Sequence, residues 1–152
     1  MTAKVGLRAA AADDYAFALA IYVETIKPYT VAYLEWIDAE QTARFARLWM
    51  PAEVRVITAH GADVGWLQAS ETGPEIFLKQ MYVAPAHQRR GIGSEILRRL
   101  LDRWEITKKP VVLGVLKNNP AGRLYERLGF AVTSETDTKF MMRREARPSS
   151  RL

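Results

Sequence analysis

Ile92, Ile96, Leu97, Leu100, Leu101 and Trp104 recur three and four apart, which puts them on one face of a helix. Residues 76–83, just upstream, read as a strand, and residues 111–116, just downstream of Pro110, form a nearly continuous apolar run of the kind a buried strand shows. The same reading places the remaining elements. Residues 5–8 form a short first strand. Tyr15, Leu19, Tyr22 and Val23 mark a helix that Asp13 or Asp14 can cap and that Pro28 ends. Residues 29–37 are aromatic-rich and irregular. Asp38 and Gln41 have the spacing of a capping box and open a second helix reaching about Trp49. The β-branched run 54–58, a turn at 60–63 and the run 64–70 make a hairpin, and a turn at 71–74 leads into 76–83, so three antiparallel strands form a meander. The helix opened at Ile92 runs to about Thr107. Pro120 suits the first turn of a last helix carrying Leu124, Tyr125 and Leu128, and Gly129 is placed to cap it. Residues 130–134 and 138–143 close the chain as a hairpin turning near Thr136 and Asp137.

The element order is therefore β-α-α-β-β-β-α-β-α-β-β. The strand–helix–strand unit over 76–116 is a crossover, so its two strands are expected to be parallel and joined right-handed. The fold class is α/β (α+β): a single mixed, mostly antiparallel six- to seven-stranded sheet flanked by helices. Residues 1–146 are expected to form one domain, with 147–152 a flexible tail.

Composition narrows the chemistry. At 152 residues, about half of them hydrophobic, the chain can bury one sizeable core. It has no cysteine, which excludes disulfides, thiolate zinc sites and a cysteine nucleophile. With only two histidines besides, His60 in a turn and His87 in an exposed loop, no metal site is expected. The start of the chain lacks the apolar core of a signal peptide, and no apolar run approaches the ~20 residues that span a bilayer. A soluble, cytoplasmic protein with no membrane partner is expected. The net charge of +5 favours polyanionic partners, although part of it lies in the tail at Arg143, Arg144, Arg147 and Arg151. Nucleic acid is disfavoured, because no basic helix or aromatic-interleaved strand face stands out.

The stretch Gln88, Arg89, Arg90, Gly91, Ile92, Gly93, Ser94 lies between the strand 76–83 and the amphipathic helix. Its two glycines allow a tight turn and a close ligand, and the first N–H groups of the helix lack intrahelical partners. With the helix dipole and the two arginines, this is an anion cradle suited to a pyrophosphate. A Rossmann fingerprint is ruled out by Ile96 where the third glycine belongs, and a P-loop by the want of Gly-Lys-Ser/Thr.

Two motifs occur together. Gln88-x-x-Gly91-x-Gly93 follows a strand ending Met81-Tyr82-Val83-x-Pro85, and Asn118-x-x-Ala121-x-x-x-Tyr125-x-x-x-Gly129-Phe130 follows the buried strand. In that order and about 25 residues apart they resemble the GNAT superfamily of acyl-CoA-dependent N-acetyltransferases, over nearly the whole chain in strand order and only in general pattern over the first half. The resemblance implies a GNAT-like acyl-CoA N-acyltransferase fold and acetyl-CoA as co-substrate. It implies that the backbone from Gln88 to Ser94 holds the coenzyme A pyrophosphate and that Met81, Tyr82 and Val83 meet the pantetheine and thioester. It also implies that Asn118 and Ala121 lie beside the cofactor arm and that Tyr125 is the general acid at the thioester sulfur. The expected partner is an amine: a small molecule, or a protein N-terminus or lysine. A homodimer is admitted without being specified.

The acceptor side is open in the sequence. Glu24, near the end of the first long helix, is a candidate base, and Gln68, Lys79 and Gln80 are other polar groups on the central strands. A water chain is an equal alternative. Tyr29, Tyr33 and Trp36 are read either as core packing at the sheet edge or as an aromatic acceptor pocket. For Asn118, capping of the following helix competes with cofactor contact. A non-catalytic acyl-CoA-binding module on the same fold is the alternative function.

Overall fold

The computed structural model describes residues 4–147. The elements are β1 (Val5–Ala9), α1 (Tyr15–Thr30), α2 (Asp38–Leu48), β2 (Val54–Ala59), β3 (Ala62–Ser70), β4 (Ile76–Val83), α3 (Ile92–Glu105), β5 (Val111–Leu116), α4 (Ala121–Arg127), β6 (Ala131–Glu135) and β7 (Lys139–Arg144). Among the described residues the strands form one seven-stranded sheet in the order β1-β2-β3-β4-β5-β7-β6, with four α-helices flanking it. The sheet is mixed. β1–β2, β2–β3, β5–β7 and β6–β7 are antiparallel, and β4 and β5 are parallel with Ile76 opposite Val111 and Phe77 opposite Val112. The element order matches the sequence reading. No described helix is long and apolar enough to cross a membrane.

The chain forms two compact units. Among the described residues, one contains residues 4–68 together with Gln80–Ile96; the other contains Ala69–Lys79 and residues 97–147. The first unit has an aromatic core. Ala18, Ile21, Tyr22, Phe45, Val54 and Trp66 are buried together, with Tyr15, Trp49 and Tyr82 packed against them. Phe45 stacks on Trp49 at 5.6 Å and meets Trp66 edge-on at 5.7 Å. Trp66 Nε1 donates to Ala18 O at 3.1 Å, which fastens α1 to β3 and satisfies the one polar atom of a fully buried indole. At the sheet edge Arg8 grips Asp14 through both guanidinium NH groups at 2.9 Å and reaches Asp63 at 2.8 Å. The second unit is centred on β5, whose Val111, Leu113 and Val115 are buried. Arg144, also buried, donates from Nε to Leu128 O at 2.9 Å.

Local departures from the sequence reading have physical causes. Pro28 does not end α1, which continues to Thr30. Proline removes only its own N–H, and the turn beyond it is held by Val31 N–H on Lys27 O at 3.1 Å and Thr30 Oγ1 on Ile26 O at 3.0 Å. Tyr29 is thus helical. Asp14 does not cap α1 with its side chain; its carboxylate accepts Ala11 N–H at 2.7 Å in a short 3-10 turn and is otherwise taken by Arg8. The expected capping box at Asp38 is absent, because Asp38 accepts Trp36 Nε1 at 2.7 Å and Gln41 accepts the Tyr22 hydroxyl at 3.0 Å. Of the expected flexible tail, residues 148–152 lie outside the described residues, while Arg147 N–H donates to Glu105 Oε2 at 2.6 Å.

Candidate functional site

The motif residues fall in both units, and each part is built locally. In the first unit a 3-10 turn, Pro85–His87, follows β4 and delivers the chain to residues 88–91. Arg89 and Gly91 there adopt positive φ, 65° and 76°. For arginine this conformation is costly, and such outliers are held only where the surroundings enforce them. Gln88 supplies one restraint: its Nε2 donates to Val83 O at 2.8 Å, tying the loop to the last residue of β4. The first bond back into the helix runs from Glu95 N–H to Gly91 O at 3.0 Å, so the N–H groups of Ile92, Gly93 and Ser94 precede the α-helical ladder at its positive end. A Cβ at Gly91 would meet nothing within 4 Å, so that side of the loop is open, whereas one at Gly93 would pack 3.6 Å from Val83 Cγ2 and 3.8 Å from Met81 Cε. Gln88, Arg89 and Arg90 are exposed. The loop thus offers backbone donors, two cations and space for a bulky anion, which fits a pyrophosphate group.

β4 presents two faces. Met81 and Val83 point toward Gly93, and the alternate residues Gln80 and Tyr82 point to the aromatic core of the first unit. Tyr82 lies edge-on to Trp66 at 5.3 Å and to Tyr22 at 5.8 Å. Its hydroxyl donates to Gln80 Oε1 at 3.2 Å, Gln80 Nε2 donates to Gln68 Oε1 at 3.2 Å, and Gln68 Nε2 donates to Leu48 O at 2.8 Å and Glu53 Oε1 at 2.9 Å. Gln68 is fully buried and is consumed by this chain. Gly65 is what lets β3 run beside β4 here, since a Cβ at that position would lie 2.3 Å from Tyr82 O.

The aromatic residues named from sequence separate. Trp36 is half-buried on the first unit's core, 6.4 Å from Tyr22, with Lys27 Nζ 5.7 Å over its ring. Tyr33 is exposed and Tyr29 half-buried on α1. Glu24 is exposed on the same helix. Among the described residues, no three His, Asp or Glu side chains come together as a metal ion would require.

In the second unit Tyr125 on α4 is buried and meets Phe130 edge-on at 5.8 Å. Burial pushes its phenol up to about 12, so it stays protonated throughout the neutral range and can donate a proton but not withdraw one. Just before α4, Asn119 Oδ1 accepts Ala121 N–H at 2.9 Å, and Asn118 is exposed. Gly129 takes φ 98° just beyond α4, where a Cβ would stand 3.3 Å from Arg144 Nε. Sequence reasoning missed Glu53 and the Leu48 carbonyl as the far end of the glutamine chain. The available signal was two glutamines, Gln68 and Gln80, on strands otherwise apolar at their inward positions.

Comparison with known proteins gives four results. The family model described as "Acetyltransferase (GNAT) domain" matches residues 47–132. Phosphinothricin N-acetyltransferase of Streptomyces viridochromogenes is 32% identical over 135 residues, covering 83% of this chain and 74% of that protein. L-methionine sulfoximine/L-methionine sulfone acetyltransferase of Salmonella typhimurium is 34% identical over 105 residues, covering 67% of this chain and 60% of that protein. The crystal structure of PaiA N-acetyltransferase from Thermoplasma acidophilum in complex with coenzyme A superposes with a TM-score of 0.75 at 14% identity, covering 93% of this chain and 99% of that one.

Proposed function

The chain belongs to the GNAT acetyltransferase family, a family of acyltransferase enzymes, and on that premise we propose that it transfers an acetyl group from acetyl-CoA to a primary amine by direct attack in a ternary complex. The observation that carries the reading is the loop over 88–94, with its left-handed Arg89 and Gly91 and its outward helix N–H groups. In this reading those groups hold the coenzyme A pyrophosphate, with Arg89 and Arg90 neutralising its charge. Met81, Tyr82 and Val83 meet the pantetheine and thioester through the main chain, and Asn118 and Ala121 lie along the cofactor arm. The acceptor is a small molecule or a protein amine. The amino-acid analogues in the names of two relatives favour a small amino-acid-like acceptor.

The chemistry sets three requirements. The amine must attack neutral, and one of pKa ~10.4 is neutral in roughly one molecule in 2,500 at pH 7, so its deprotonation costs about 4–5 kcal/mol without help. Glu24, or a water chain in its place, is the proposed base. The tetrahedral intermediate needs a donor to its oxyanion, which a main-chain N–H of 81–83 supplies. As the carbon–sulfur bond breaks, the electron pair goes to sulfur, and the Tyr125 phenol gives the thiolate its proton. A phenol held neutral by burial suits that role.

The test is a turnover screen: acetyl-CoA with a panel of amino acids, amino-acid analogues, polyamines and peptides, read as release of free coenzyme A thiol. Amine-dependent release is the expected result. Binding of acetyl-CoA with no release on any amine would make the chain a non-catalytic acyl-CoA-binding module.

A further inference from the structure

The hydrogen-bond chain Tyr82–Gln80–Gln68–Glu53 has a forced direction. Leu48 O and the Glu53 carboxylate can only accept, and both meet the same atom of Gln68 at 2.8 and 2.9 Å, so that atom is the amide nitrogen. Gln68 therefore turns its oxygen to Gln80, which must present its nitrogen there and its oxygen to Tyr82. The Tyr82 hydroxyl proton is thereby committed inward, and any further group meeting the phenol oxygen must donate to it. Gln68 is fully buried and Gln80 nearly so, which makes reversal of the chain costly.

The polarised end lies on β4. The face carrying Met81 and Val83 turns to the cradle helix, and Tyr82 takes the other face, half-buried with its ring edge-on to Tyr22 and Trp66. We propose that the Tyr82 hydroxyl, fixed as an inward donor by Gln80 and Gln68, receives an N–H from the acceptor amine and so orients it for attack. Gln80 and Gln68 are positioning residues, and Glu53 sets the direction from the far end. The recognised group is an amine or ammonium N–H. An acceptor lacking a hydrogen on its nucleophilic centre, or one presenting an acceptor atom there, is disfavoured. This inference rests on the acetyltransferase reading above, and it gives the side chain of Tyr82 a role separate from that of its main chain.

Tyr82→Phe removes only the hydroxyl, and Gln80→Met removes the group that directs it while keeping the chain length. Steady-state kinetics with acetyl-CoA and the best amine should show KM for the amine raised roughly fivefold to tenfold in Tyr82→Phe, with KM for acetyl-CoA unchanged. Gln80→Met should raise the same KM, and Tyr82→Phe added to it should have less than its full effect, because the two act through one chain. An unchanged amine KM in Tyr82→Phe beside an active wild type would overturn the positioning role and leave the acetyltransferase reading standing. Equal shifts in both KM values would also overturn it, by showing a merely structural effect. A wild type that binds acetyl-CoA but turns over no amine would remove both the positioning role and the reading beneath it.

Discussion

Gln88 Nε2 donates to Val83 O at 2.8 Å, so the last residue of β4 and the first residue of the glycine loop are tied by a single side chain. The bond holds the loop in the turn that Arg89 and Gly91 make with positive φ. Gln88→Ala should free that turn. The expected result is acetyl-CoA affinity weakened about threefold to tenfold, the worth of one exposed hydrogen bond, with little change in melting temperature. Calorimetric titration of the variant checks it, and unchanged affinity would mean the loop holds its shape without the tie.

The ion pair at the sheet edge should make stability depend on acid. Arg8, followed by the Ala11 N–H, holds the Asp14 carboxyl down to about 2, below its ordinary 3.8. A depressed folded-state pKa contributes stability above the unfolded value, and this is lost as pH falls from about 4 toward 2. Because Arg8 is partly exposed, the contribution is screened to about 1–2 kcal/mol. Asp14→Asn should lose that amount at pH 7 and differ much less from the wild type at pH 2, measured by urea unfolding. An equal difference at both pH values would assign the loss to something other than the charge.

Gly129 is where the second unit needs glycine. Its φ of 98° is strained for any other residue, and a Cβ would press on Arg144 Nε at 3.3 Å, the atom that holds Leu128 O. Gly129→Ala should destabilise by roughly 1–2 kcal/mol or more from the left-handed strain alone. Gly61→Ala is the control: it also has positive φ, but nothing lies within 4 Å of its Cβ position. Thermal melts of the pair should place Gly129→Ala lower.

Tyr125→Phe should lower kcat on the best amine by about a hundredfold and leave KM for acetyl-CoA near its wild-type value, the pattern for loss of a proton donor used in the transition state. Since burial pushes the phenol up to about 12, wild-type activity should show no alkaline fall from this group below about pH 10. A kcat unchanged in Tyr125→Phe would mean that the thiolate is protonated from elsewhere.

The architecture was legible in the sequence because each element carries a strong local signal. The spacing from Ile92 to Trp104, the apolar run 111–116 and the paired glycine and tyrosine motifs all point to the same element order, which the structure has. What escaped was decided by competition among partners distant in sequence. Asp38 could have capped its own helix, but Trp36 claims it; Gln41 could have completed the box, but Tyr22, 19 residues earlier, takes its oxygen. Pro28 looked terminal because proline is read one residue at a time, while Thr30 and Lys27 hold the turn around it. The two asparagines before α4 are chemically equivalent in sequence, and only the turn geometry brings Asn119 Oδ1 to the Ala121 N–H. The glutamine chain joins residues from four separate segments, so its direction is fixed only once Leu48 and Glu53 are brought beside Gln68.

The central claim is that the loop over 88–94 holds the acyl donor. The most direct measurement is the thermal shift produced by acetyl-CoA in the wild type and in Gly91→Glu, whose side chain would project from the open side of the loop and set a negative charge against the anion. At a hundredfold excess over Kd the wild type should gain roughly 5–10 °C, from about 2.7 kcal/mol of linked stabilisation. Gly91→Glu should still unfold cooperatively and gain nothing. An equal shift in both proteins would contradict the account, because the donor would then be held somewhere other than this loop.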